Sequence, residues 1–352
     1  MLQRKLGAFY KPRRPGAEQC SRARVVVRAK AQAAAEKEVR PGVYEGYWTW
    51  KGHQIRYQRS GDQGTPVLLV HGFGGNADHW RKNTPELAKS GHRAFAIDLL
   101  GYGYSDKPDP KAAPPNTIYT FENFGDQLVD FIKERIGGEP TFVICNSVGG
   151  LAGLQASIVA PELVQGVQCI DISLRGLHVK RQPAWQRPFV AAFQRFLRET
   201  DAGKAFFGNV ATERTVGNIL RQAYGRKEAV TPELVQAILA PGLRPGAVDV
   251  FLDFISYSGG PLPEDLMAAT TRPVSILWGE ADPWENMHEG RRLFSPLPSV
   301  VEFVTLPGVG HCPQDEAPEL VNPLIERFVA AYSAGGGGAA ALTHVPASSA
   351  RA

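Results

Sequence analysis

Short, mostly apolar runs recur along this chain at Pro66–Val70, Ala94–Ile97, Thr141–Cys145, Val167–Ile172, Val274–Trp278 and Val300–Thr305. Runs of this kind mark strands buried on both faces of a parallel sheet, because a strand with one wet face would alternate apolar with polar residues. Helical patterns separate most of them. Phe121–Arg135 sets Phe124, Leu128, Phe131 and Ile132 on one face, and Val148–Ala160 and Pro318–Tyr332 follow the same period. Strand and helix in alternation predict an α/β fold built on a mostly parallel, doubly wound sheet. Ahead of it, Val43–Trp50 and Gln54–Arg59 alternate as two antiparallel strands that turn at Lys51-Gly52.

One interval breaks the rhythm. Between Ser173 and Val274 about a hundred residues carry no parallel-strand run. Helical stretches are predicted there at Pro183–Glu199, Glu213–Gly225, Pro232–Leu239 and Val248–Tyr257, punctuated by Gly and Pro. The expected organisation is a leader over residues 1–38, a first core part over 39–173, an inserted helical cap over 174–263 and a second core part over 264–333. A low-complexity tail over 334–352 is expected to be disordered.

Charge sharpens the division. Residues 1–30 hold nine Lys/Arg and one acid, Glu18. Taking these from the totals of 39 and 35 leaves 30 basic and 34 acidic residues, so the body has a net charge of −4. The basic balance of the whole chain is therefore no argument for nucleic acid. An arginine-rich, acid-poor leader reads as an organelle transit peptide, and its Val25-Val-Val-Arg28-Ala29 ending resembles chloroplast processing sites. No stretch approaches the roughly 18 uninterrupted apolar residues of a membrane span, so any membrane contact is expected to be peripheral. Cys20, Cys145, Cys169 and Cys312 show no CxxC spacing and suit a reducing compartment better than a disulfide framework or a zinc site.

The chemistry-bearing residues sit at strand ends. Cys145-Asn146-Ser147-Val148-Gly149 lies where a buried strand meets a helix, the position of a G-x-S-x-G nucleophile elbow. The turn is sharp enough that its flanking positions must be small, and Cys145 stands where glycine is usual. Ser147 is the candidate nucleophile. A hydroxyl needs a base at neutral pH, and His311 follows the last apolar run in the glycine loop Pro307-Gly-Val-Gly310. Asp282, just beyond the penultimate run, is the candidate acid, with Asp171 and Glu280 as rivals. The chain order Ser, Asp, His is the one that goes with such an elbow. The Val148 and Phe73 amides are the candidate oxyanion donors, the second within His71-Gly-Phe-Gly-Gly75. No Gly-Lys-Ser/Thr follows that loop, so it is not a phosphate loop. Cys145 and Cys312 flank nucleophile and base, where oxidation would bear on activity.

From Tyr47 to Val329 these motifs, with Asp98-Leu-Leu-Gly-Tyr-Gly-Tyr-Ser-Asp-Lys-Pro108, Gly279-Glu-Ala-Asp282 and Gly310-His-Cys-Pro313, resemble the α/β-hydrolase family. The Asn-Ser-Val-Gly-Gly elbow, the His71–Trp80 segment and the leader look like the plastid chlorophyll dephytylases and their pheophytinase relatives. That resemblance implies an α/β-hydrolase fold with a helical cap, and a serine hydrolase that releases phytol from a chlorophyll-type pigment. It implies no metal and no organic cofactor, any magnesium belonging to the substrate, and a chloroplast setting at the thylakoid surface or in the stroma. A plastid carboxylesterase, lipid hydrolase or perhydrolase would use the same residues. A slow-hydrolysing ligand receptor is the reading from another class, and multiple turnover would exclude it. A dehalogenase would carry Asp in place of Ser147.

Trp185, Phe189, Phe193 and Phe196 recur at spacings of four, four and three in the first cap helix. Such a stripe packs the cap onto the core or, with Trp80, lines the channel for a hydrophobic tail. A phytyl chain leaving a membrane gains little by entering such a channel, because the roughly 0.8 kcal/mol per methylene applies to transfer out of water.

Overall fold

The computed structural model of the chain describes residues 36–114 and 116–333. The expected leader up to residue 35 and the tail from 334 lie outside the described residues. The sheet has nine strands: β1 (Lys37–Arg40), β2 (Val43–Trp50), β3 (His53–Ser60), β4 (Pro66–Val70), β5 (Arg93–Ile97), β6 (Thr141–Asn146), β7 (Val164–Ile170), β8 (Val274–Gly279) and β9 (Val300–Leu306). Their spatial order is β1-β2-β3-β5-β4-β6-β7-β8-β9. Pairing is antiparallel from β1 to β5 and parallel from β5 to β9. β1 takes in Lys37 and Glu38, two residues assigned from sequence to the leader. A four-residue, largely exposed and charged edge strand has no apolar pattern to reveal it.

The β2–β3 hairpin turns at Lys51 and Gly52, both at positive φ (47° and 85°), which matches the twist of the flanking strands. The parallel strands bury both faces, as their composition requires. Leu68, Val70, Val143 and Cys145 point into one apolar layer, and Val67, Leu69, Phe142 and Ile144 point into the other. Helices α1 (Thr84–Lys89), α2 (Phe121–Glu134) and α3 (Gly149–Val159) follow the successive crossovers. Phe124 and Leu128 of α2 and Leu151 of α3 fill the first layer, and Leu87 of α1 belongs to the second.

Between β7 and β8 the chain leaves the sheet for α4 (Arg187–Glu199), α5 (Asp201–Val210), α6 (Glu213–Ala223), α7 (Pro232–Gly242) and α8 (Ala247–Ile255). This is the expected helical cap, with one helix, α5, in a stretch where the sequence pattern marked none. The chain then returns through α9 (Pro263–Ala269) to β8, and α10 (Met287–Phe294), α11 (Pro313–Glu316) and α12 (Pro318–Tyr332) complete the core. Ile325 and Phe328 of α12 close the second layer.

The strand order fixes where a ligand can sit. From β4 the chain moves outward to β5, then returns to β6 on the other side of β4. The loops leaving β4 and β6 therefore diverge, and the crevice between them opens at the carboxyl edge of the sheet. A buried ion network props that edge. The Arg56 guanidinium, 4% exposed, reaches Glu45 (2.6 Å), Asp78 (2.9 Å) and Asp98 (3.3 Å). Asp98 also accepts from the Ala77 and Tyr104 amides, tying the loops after β4 and β5 together.

Candidate active site

Ser147 occupies the first residue beyond β6 at φ 53°, a left-handed conformation that a non-glycine residue holds only under local strain. The elbow is as tight as its motif demands. A Cβ on Gly149 would stand 2.5 Å from the His71 carbonyl oxygen, and one on Gly72 would stand 2.9 Å from Ser147 Cβ. Cys145 fits in place of the usual glycine because its Sγ lies over Gly153 of α3, where a Cβ would come within 2.5 Å of the sulfur.

Three distant stretches converge here. Ser147 Oγ lies 3.0 Å from His311 Nε2, and His311 Nδ1 lies 2.8 Å from Asp282 Oδ2. The other Asp282 oxygen accepts from the Trp284 and Glu285 amides at 2.8 and 3.2 Å. The serine and imidazole are nearly buried, at 7% and 5% exposure. A half-exposed Trp284 ring sits edge-on to the imidazole at 4.9 Å between centroids.

The glycines around His311 are demanded by close backbone approach. A Cβ on Gly310 would collide with the Ala223 carbonyl oxygen at 2.1 Å, and one on Gly279 with the Gly310 carbonyl oxygen at 2.1 Å. The His311 amide donates to the Ala223 carbonyl at the end of α6 (2.8 Å), and Asn146 Nδ2 donates to the His311 carbonyl (3.0 Å). Glu316 receives the Gly310 and Arg226 amides. Asn146 and Glu316 were not singled out from sequence. The place of Asn146 inside the elbow, facing the base loop, is the signal that would have found it.

The Phe73 and Val148 amides flank Ser147, and among the described residues neither donates to an acceptor. The preceding His71 fixes this loop. Its Nε2 accepts from the Leu99 amide (3.1 Å), which leaves Nδ1–H to donate to the Gly72 carbonyl (2.7 Å). Burial lowers the pKa of this imidazole and keeps it neutral.

Asp171, the rival acid, does not reach the base directly but stands behind the acid that does. It lies just past β7 at φ 45°, fully buried, and one oxygen accepts from the Gly279 amide at 2.9 Å. Oxygens of Asp171 and Asp282 and a nitrogen of His311 all lie within 4.8 Å of one another. Burial pushes the Asp171 carboxyl well above its ordinary range, and the Asp282 charge pushes it the same way. The neutral form of the Asp171 carboxyl is therefore favoured by its surroundings. A carboxyl whose pKa is raised by folding costs nothing below its unfolded value of about 4. As pH rises past that value the unfolded chain ionises it and the native state does not, so stability is lost until the folded pKa is reached. Asp171→Asn copies the neutral form and tolerates positive φ. It is expected to raise the urea midpoint at neutral pH, with the gain disappearing below about pH 4. Glu280 takes no part, its side chain being exposed beyond the strand end.

The cavity behind the Phe73 loop differs from the expected pocket. A narrow cavity of about 60 Å³ is lined by Phe73, Tyr102, Phe207, Ile238, Val250 and Phe251. Phe73 stacks on Phe254 at 5.3 Å and lies against Phe251 at 5.1 Å. Trp80 is not part of it, since its ring is fully buried in the second apolar layer with Leu69, Phe142 and Phe328. Trp185, Phe189 and Phe193 are not part of it either. They face solvent at 69%, 71% and 59% exposure, because α4 packs on α5 and α8 through its other side. Cys145 and Cys312 are buried and burial raises both thiols, which leaves them unreactive and removes the ground for oxidation.

The family model described as the alpha/beta hydrolase fold matches residues 65–318. Among curated proteins, the chain is 25% identical over 352 residues to "Pheophytinase, chloroplastic" of Arabidopsis thaliana, covering 85% of this chain and 69% of that protein. It is 27% identical over 286 residues to the uncharacterized hydrolase YugF of Bacillus subtilis, covering 80% of this chain and 96% of that one. Among solved structures, the ligand-free epoxide hydrolase CorEH superposes with a TM-score of 0.66 over 82% of this chain and 99% of that chain, at 18% identity. That last likeness is one of fold.

Proposed function

The chain belongs to the α/β hydrolase fold family, and from that premise we propose that it is a serine ester hydrolase of the chloroplast that releases phytol from chlorophyll-type pigments. The observation that carries the hydrolytic reading is the relay from Ser147 through His311 to Asp282 at 3.0 and 2.8 Å. Ser147 Oγ attacks the ester carbonyl carbon while its proton passes to His311 Nε2. Asp282 holds the ring by its Nδ1–H and offsets the positive charge that forms. The Phe73 and Val148 amides donate to the oxygen that gains negative charge. The bond to the alcohol oxygen then breaks, and His311 returns the proton to the departing alcohol. Water, deprotonated by the same imidazole, releases the acid and restores Ser147.

Serine in the elbow also bears on the epoxide hydrolases that share the fold. A serine oxygen opening an epoxide would leave an alkyl ether, which water does not cleave, whereas attack on a carbonyl leaves a hydrolysable ester. The site is suited to acyl transfer.

The pigment reading is supported by the relative named pheophytinase, by the transit-like leader and by the apolar cavity. At about 60 Å³ that cavity admits a few chain carbons and no macrocycle, so the pigment ring is expected to rest at the cavity's mouth. The test is incubation of the purified protein with chlorophyll and, separately, with pheophytin, followed by chromatography. Free phytol with the matching dephytylated pigment is the expected result. Multiple turnover of a p-nitrophenyl ester with both pigments left intact would make the protein a general plastid esterase. A single turnover of that ester would make it a sensor.

A further inference from the structure

The aromatic stripe of α4 was expected to face inward, and it faces out. Trp185, Phe189, Phe193 and Phe196 are exposed by 69%, 71%, 59% and 50%, and Leu177 and Val179 just before them are exposed as well. Gln194, on the opposite side of the helix, is the residue that meets α8, through its contacts with the Ile255 carbonyl and Ser256 Oγ. The stripe is therefore aimed squarely away from the protein. Four rings exposed to this degree form an apolar patch on the order of 400 Å², at the upper end of what a monomer carries unless the patch has a partner.

The charge around the patch identifies the partner. Residues 172–198 contain six Lys/Arg and no Asp or Glu, in a body that is otherwise net acidic. Arg175 is interior, Arg181 and Lys180 lean on Glu264 and Asp265, Arg187 is exposed at the first residue of α4, and Arg195 is exposed beside Phe196 at the border of the stripe. A shallow depression of about 450 Å³ beside the stripe is walled by Ala191, Ala192, Phe196 and Thr200, with Arg195 at its edge. An aromatic face bordered by arginine, on a helix too short to span a bilayer, is the construction of an element that lies in the lipid interface. We propose that α4 docks this protein on an anionic lipid surface, with its four aromatic rings inserted among the acyl chains. The opposite side of α4 packs on α8, whose Phe251 and Phe254 meet Phe73 beside the cavity. Docking thus sets the cavity close to the bilayer, where a water-insoluble ester resides. Only this delivery role rests on the proposed hydrolytic function; the docking itself does not.

The test is flotation of the full chain with vesicles of phosphatidylcholine containing phosphatidylglycerol, compared with phosphatidylcholine alone. The comparison is between the wild type and Phe189→Ser/Phe193→Ser. The basic leader is common to both chains, so the difference between them reads the stripe. The wild type is expected to float with the anionic vesicles, and the double variant to partition at least about tenfold less. Turnover of a soluble p-nitrophenyl ester should be equal in both, which shows that the variant is folded and separates this proposal from the catalytic one. Equal flotation of both chains, or a wild type that floats with neither vesicle, overturns the proposal. So does a wild-type dimer in solution that the double variant abolishes, since the stripe would then be a self-contact.

Discussion

Ser147→Ala is expected to lower kcat by about a million-fold on any ester the protein turns over, which is what loss of the nucleophile costs where serine, imidazole and carboxylate act as a unit. Substrate binding should change little, because the hydroxyl contributes nothing to the cavity walls, and the melting temperature should stay near that of the wild type, because alanine keeps the same Cβ and the same strained φ of 53°. Single-turnover kinetics with a p-nitrophenyl ester measures the first effect, and a fluorophosphonate probe that labels the wild type and not the variant locates it. Labelling of the alanine variant would remove Ser147 from the mechanism.

Asp282→Asn should cost about ten-thousand-fold in kcat, because asparagine presents the wrong partner to the ring and leaves the imidazolium without its counter-charge. The carboxylate sits 2.8 Å from Nδ1, and two backbone amides hold its other oxygen, so an isosteric amide keeps the loop in place while losing the charge. The same assay on the purified variant decides the point. A loss smaller than about tenfold would mean that Asp171, the carboxyl standing directly behind, can ionise and serve in its stead.

Much of this arrangement could be read before any coordinates. The parallel strands were legible because burial on both faces removes polar residues from the run, and their ends then pointed to the loops that carry Ser147, Asp282 and His311. The cavity was not legible. Its walls come from Phe73, Tyr102, Phe207 and Phe251, on four separate segments whose meeting depends on how the cap folds back. The aromatic stripe shows the limit most clearly. Periodicity in Trp185, Phe189, Phe193 and Phe196 establishes that the four share a side of the helix, but the same spacing serves a side turned to the core and one turned to solvent. Trp80 failed for the opposite reason. Its neighbours His71–Gly75 border the nucleophile, but a short 3₁₀ turn at Ala77–Trp80 carries the indole beneath the sheet.

The hydrogen bond that the His311 amide donates to the Ala223 carbonyl makes the inserted helices part of the machinery that aims the proton acceptor. Transplanting another family member's insertion into this scaffold would alter more than the choice of guest molecule. Any such chimera must present a carbonyl oxygen at the same spot, with no side chain at position 310 in the way, or its imidazole will swing free of the serine.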